Sequence, residues 1–186
     1  YIIAKDRIEA VLGKEYEVIR ELKGKDLVGF EYEPLFDVKP LQTEKSHRVY
    51  AADFVTTTDG TGIVHTAVMY GEDDYELGKK LGLPMHHTVA EDGTFTADVP
   101  EFAGRDVKEA ELDILKYLDA KRYTLQVTRY THSYPFCWRC KHALIYYARN
   151  SWFVAMSKLR KELLKNNKKI SWYPEHLKEG RFGEFL

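Results

Sequence analysis

Apolar positions along the 186-residue chain follow two different periods. Residues 4–12, AKDRIEAVL, place Ile8, Val11 and Leu12 on one side of a short helix, and Gly13 is a natural stop. Glu72–Leu81 predicts a second helix, with acidic residues in its first turn and lysines in its last, as the helix dipole favours. Gly82 and Pro84 end it. Residues 107–121 give the clearest helical pattern, with Val107, Ala110, Ile114, Leu115 and Leu118 on a shared face. Residues 154–166 predict a fourth, amphipathic and rich in lysine and arginine outside. Between these lie stretches with strand character: residues 16–22, 48–55, 63–67, 125–130 and the apolar run LIYYA at 144–148. Residues 58–62 and the Asp92-Gly93 pair read as turns. The pattern predicts a mixed α and β chain, a β-rich core of short strands with helices packed around it.

Charge changes this picture once it is divided along the chain. The total, 28 Lys+Arg against 29 Asp+Glu, is nearly neutral and excludes a uniformly basic nucleic-acid binder or an acidic disordered tail. Residues 59–120 nevertheless carry 5 basic and 14 acidic side chains, and residues 121–186 carry 14 and 4. Such an asymmetry suits a nucleic-acid or partner face at one end; chance clustering of solvated charges explains it equally well. No run approaches 18 apolar residues, so no membrane span is expected. No leader pattern is visible, and a start at Tyr1 reads as a piece of something longer. Two cysteines, Cys137 and Cys140, are too few for a disulfide framework, and their C-x-x-C spacing suits metal or redox chemistry in a reducing compartment.

Two segments carry candidate chemistry. In DGTGIVHTAVMYGEDDYELGKKLGLP, residues 59–84, a Gly60-Thr61-Gly62 turn precedes His65 on a short strand, and Asp73 and Asp74 open a helix. The connection could fold His65 and Asp74 towards one cleft, where a carboxylate would hold a substrate ammonium group. The plainer reading makes the aspartates helix-start charges and His65 a satisfied buried histidine, and residues and spacing alone favour it. The third glycine of a dinucleotide fingerprint is missing. In YTHSYPFCWRCKHALIYYARNSWF, residues 130–153, Cys137 and Cys140 supply half of a four-ligand zinc site. His132 and His142 could complete a set, although their spacing matches no finger pattern, and two thiols without a metal is the plainer state.

The ordered blocks GTGIVH, GEDDYE, HSYPFCWRC, LIYYA, SWF and WYPEHLKEGRFGEFL resemble isoleucyl-tRNA synthetases, class I enzymes, in the inserted editing domain and the return to the catalytic core. Valyl- and then leucyl-tRNA synthetases rank behind them, because the HSYPFCWRC and closing blocks are isoleucyl in type. The resemblance implies a β-barrel-like editing domain with peripheral helices over residues 1–135, its N-terminal part missing. Residues 136–186 would form a C-x-x-C connective segment leading back to the catalytic domain. It implies an enzyme that joins isoleucine to its tRNA with ATP and Mg, neither bound by this stretch. A hydrolytic site would clear valine from mischarged isoleucine tRNA and would act on valyl-adenylate. An apolar pocket separates side chains differing by a methylene by only roughly 1–3 kcal/mol, and isoleucine against valine is the familiar instance of that limit.

By the same resemblance Asp74 binds the substrate ammonium group and His65 lines the pocket against isoleucine. Gly60, Thr61 and Gly62 form a close turn beside it, Asp73 adjoins, and Cys137 and Cys140 are half of a zinc site. The family's threonine-rich segment ending in Pro-Trp-Thr and its first C-x-x-C set have no counterpart here, and activity of this stretch alone is in question. The expected setting is cytoplasmic, away from membranes, and monomeric. A zinc-ribbon-like RNA-binding module is the reading from a different class, motivated by the cysteines beside a basic, aromatic C-terminal third.

Overall fold

The computed structural model describes residues 1–129 and 131–186; Tyr130, the end of one strand candidate, lies outside them. Among the described residues six α-helices follow in order: α1 Ile8–Leu12, α2 Gly24–Leu27, α3 Glu72–Leu81, α4 Glu111–Ala120, α5 Met156–Asn167 and α6 Gly183–Phe185. Short 3₁₀ turns at Lys5–Arg7, Lys39–Leu41 and Glu175–Leu177, and a π-helical turn at Lys178–Phe182, complete the helical content. Chain contacts divide the protein into two compact units, Tyr1–Ala148 and Arg149–Leu186.

α1, α3, α4 and α5 fall where the sequence predicts helices, whereas the short α2 and α6 carry no such signal. Gly13 ends α1 at φ 76°, its N–H donating to the Glu9 carbonyl (3.0 Å). α3 has the expected bounds and ends on Gly82 in the left-handed conformation, φ 67°. α4 starts later than its apolar stripe, because Asp106 turns the chain first: its carboxylate accepts the Lys108 N–H at 2.8 Å and its carbonyl accepts the Ala110 N–H at 2.9 Å.

The expected β-barrel-like, mixed α and β core is not what forms. Among the described residues there is no β-strand or sheet, only isolated antiparallel bridges at Glu31–Arg48, Val89–Phe95, Thr94–Asp106 and Phe136–Ala143. Alternation marks a segment able to pair; a strand exists only when a neighbour completes its ladder and something covers its apolar face. Neither condition is met here. Residues 29–32 and 47–49 exchange backbone hydrogen bonds over a few residues and then part. Ile19 and Val127, apolar positions in two of the candidates, remain exposed at 93% and 61%.

The core of the first unit is instead a small aromatic cluster. Val38, Val99, Phe102 and Ala110 are buried, and Phe36, Leu41, Phe95, Ile114 and Tyr117 pack around them. Phe36 stacks on Tyr117 with ring centroids 5.3 Å apart, and Phe102 meets both edge-on. α4 is thereby fixed against residues 36–41 and the loop at 95–105. That loop is held by a tight hairpin: the Asp92 carboxylate accepts the Thr94 N–H (3.0 Å) and hydroxyl (2.7 Å), and Gly93 turns at φ 89°. The same two bonds hold the Asp92 carboxyl below its ordinary value.

In the second unit, Asn167 at the end of α5 is buried at 4% exposure. Its side chain donates to the Lys178 carbonyl (2.7 Å) and accepts the Trp172 indole N–H (2.8 Å). Trp172 in turn packs against Phe182, centroids 5.0 Å apart. One side of α5 is thus tied to the chain that follows it.

Candidate functional site

The 59–84 segment folds as a turn, an extended stretch and a helix. At its start, Gly60 and Gly62 adopt φ 56° and 78°. The turn is docked on the N-terminal helical segment: Arg7 Nε donates to the Gly60 carbonyl (3.0 Å) and Ala4 N–H donates to the Thr61 carbonyl (2.8 Å). A Cβ on Gly62 would run into the Cβ of Ala4. Gly62→Ala is therefore expected to cost at least about 1–2 kcal/mol, from the left-handed backbone alone. A chemical denaturation midpoint reads this directly.

Residues 63–67 remain extended, with His65 exposed. Asp74, in the first turn of α3, is half-buried, and its Oδ2 accepts the Ala67 N–H at 3.3 Å. The carboxylate therefore reaches back seven residues and ties the helix start to the stretch carrying His65, two residues before Ala67. The structure joins Asp74 to that backbone; it leaves the His65 side chain in solvent rather than buried. Asp73 and Glu72 are exposed on the same first turn.

Gly71 makes this arrangement sterically possible. It is the residue before α3, in extended backbone at φ −145°, and a Cβ there would lie 2.6 Å from Asp74 Oδ2. Gly71→Ala is expected to push the carboxylate off the Ala67 N–H, and hydrogen exchange at Ala67 should accelerate while α3 stays protected. Gly78, buried on the next turn, plays a parallel part: an added Cβ would meet Val68 Cγ1 at 2.5 Å, so α3 packs closely on the chain before it.

Beside the start of α3 lies an aromatic nest that sequence reasoning missed. The Tyr70 hydroxyl accepts the N–H groups of Thr88 (2.7 Å) and Val89 (2.8 Å). His87 stacks on Tyr147 with centroids 4.0 Å apart and planes 7° from parallel, and its Nε2 bonds the Ala148 carbonyl (2.9 Å). Tyr147 donates to the Val89 carbonyl (3.2 Å), and Ala148 N–H donates to the Met69 carbonyl (2.9 Å). The LIYYA run thus ends docked against residues 69 and 87–89, beside the proposed site. Nothing periodic connects 70, 87 and 147, and no local pattern could have announced it.

The cysteines lie on a tight turn. Cys137 N–H donates to the His142 carbonyl (2.8 Å), Lys141 N–H donates to the Cys137 carbonyl (2.9 Å), and Lys141 turns at φ 61°. The N–H groups of Cys140 and then Arg139, followed by the Cys140 thiol, hold the Cys137 thiol below its ordinary value. A structural zinc ion takes four ligands. Among the described residues no group of three or more His, Cys, Asp and Glu side chains gathers, so His132 and His142 do not complete a set with the two thiols. The described residues do not by themselves fit a zinc site. No helix among the described residues is long and apolar enough to cross a membrane.

Known proteins give this geometry its family. The chain is 49% identical over its whole length to the isoleucine-tRNA ligase of Clostridium tetani (strain Massachusetts / E88) and 49% to that of Clostridium novyi (strain NT). It is 44% identical to the isoleucine-tRNA ligase of Bacillus thuringiensis (strain Al Hakam). In each case the match covers all of this chain and 18% of the relative's length. The family described as tRNA synthetases class I (I, L, M and V) matches residues 11–186, and the chain belongs to that family.

Proposed function

We propose that this chain is the part of an isoleucine-tRNA ligase that carries a hydrolytic editing site, clearing valine mischarged on isoleucine tRNA and valyl-adenylate. Similarity to isoleucine-tRNA ligases across the whole chain supports the parent activity. The observation that carries the site is the anchored carboxylate of Asp74 at the start of α3. One of its oxygens accepts the Ala67 N–H, which fixes its position; the other can accept from a substrate ammonium group. A hydrogen bond between ionised partners is about twice as strong as a neutral one.

In this reading the chain's residues bind and orient. Asp74 grips the ammonium group, His65 projects from the tied stretch towards the substrate side chain, and the Gly60-Thr61-Gly62 turn sets the start of that stretch. Hydrolysis then proceeds by attack of a held water on the ester carbonyl; the bond to the tRNA's terminal ribose oxygen breaks, that oxygen leaves as a hydroxyl with a proton from the water, and much of the rate comes from orientation rather than a covalent nucleophile. Asp73 supplies a second negative charge beside the ammonium site. A zinc ion in the full-length enzyme would draw Cys137 and Cys140 as two of its ligands, a structural part outside this chemistry.

The test is futile cycling. Full-length enzyme given valine, ATP and isoleucine tRNA is expected to form AMP far faster than valine-charged tRNA accumulates. AMP and charged tRNA rising in step would sink the editing reading.

A further inference from the structure

We infer that the outer face of α5 is an RNA-docking surface, a row of lysines set to receive backbone phosphates. This rests on the tRNA-handling reading above. Lys158, Lys161 and Lys165 recur at three- and four-residue spacing, so they line one face of the helix about 5–6 Å apart. All three are exposed, and none closes an ion pair within the described residues. The opposite side is occupied: Leu163 and Leu164 are half-buried, and Asn167 is tied to Trp172 and Lys178. The lysine face therefore cannot be the one that packs within its unit.

Helix stability does not explain all of these charges: Lys165 sits in the last turn, which the dipole favours, but Lys158 and Lys161 gain nothing from it. Like charges one turn apart repel, and a cation in a first turn opposes the helix dipole. α3 and α4 obey that rule with acidic first turns, whereas α5 has none there and places Lys158 in it. Glu162 is the single acidic residue of the helix. A polyanion supplies the missing counter-charge, and RNA is the polyanion that this family's members handle by name. Lys168 and Lys169 extend the positive run past the helix end.

The test is the salt dependence of binding to an isoleucine tRNA transcript by the full-length enzyme. Each phosphate neutralised contributes about 0.7–0.9 to the slope of log affinity against log salt. Replacing Lys158, Lys161 and Lys165 together by glutamine is expected to lower the slope by roughly 2–3, while arginine at all three restores it. Glutamine at Lys14, Lys25 and Lys39, exposed lysines of the other unit, should leave the slope within about 0.5 of the starting value. If the unaltered enzyme binds with a steep slope and the α5 glutamine variant keeps it in full, the helix-face proposal is wrong and the synthetase reading stands. If the unaltered enzyme shows no salt-dependent binding, both fall.

Discussion

Asp74→Ala in the full-length enzyme should slow hydrolysis of valine-charged isoleucine tRNA by about 10- to 100-fold and leave isoleucine charging unchanged. The magnitude follows from losing a hydrogen bond to a charged group, roughly 1.5–3 kcal/mol. Alanine removes two things at once: the charge offered to the substrate and the tie to the Ala67 N–H. Asp74→Asn separates them. Its amide oxygen can still accept from Ala67, so the local fold is kept, but it offers no charge to an ammonium group. Asparagine is therefore expected to fail nearly as badly as alanine. If asparagine hydrolyses at the full rate, the carboxylate acts only as a structural tie and its assigned role is wrong.

Phe102→Ala should destabilise the first unit by about 3–5 kcal/mol, the usual cost of removing a buried aromatic ring. Phe102 is 5% exposed and contacts Phe36, Phe95 and Tyr117. No other large hydrophobic side chain of this cluster touches as many rings. A domain's whole stability is commonly about 5–15 kcal/mol, so the variant should melt well below its parent. The denaturant midpoint should fall with the slope unchanged. A loss under about 1 kcal/mol would mean that the aromatic cluster is not the centre of the core.

α1, α3, α4 and α5 were legible in the sequence because their signals are local; the single-turn α2 and α6 were not. Gly13 and Gly82 stop α1 and α3 where a positive φ is needed, an acidic first turn marks α3, and an apolar stripe marks α4. The Asp92-Gly93 turn was legible for the same reason. The barrel was not, because pairing is non-local: residues 16–22 and 125–129 have strand-like alternation and no neighbour to complete a ladder. The site is divided in the same way. Asp74 was visible as a helix-start acid, but its reach to Ala67 and the room Gly71 leaves for it depend on chain reversal. The nest of Tyr70, His87 and Tyr147 joins residues far apart in the chain and left no trace in any local pattern.

The most direct measurement compares single-turnover deacylation of valine-charged and isoleucine-charged isoleucine tRNA by the full-length enzyme. Valine is expected to be released rapidly and isoleucine at least about 10-fold more slowly, as a pocket that excludes one methylene allows. Equal rates for the two, or no release above the spontaneous rate, would contradict the editing reading.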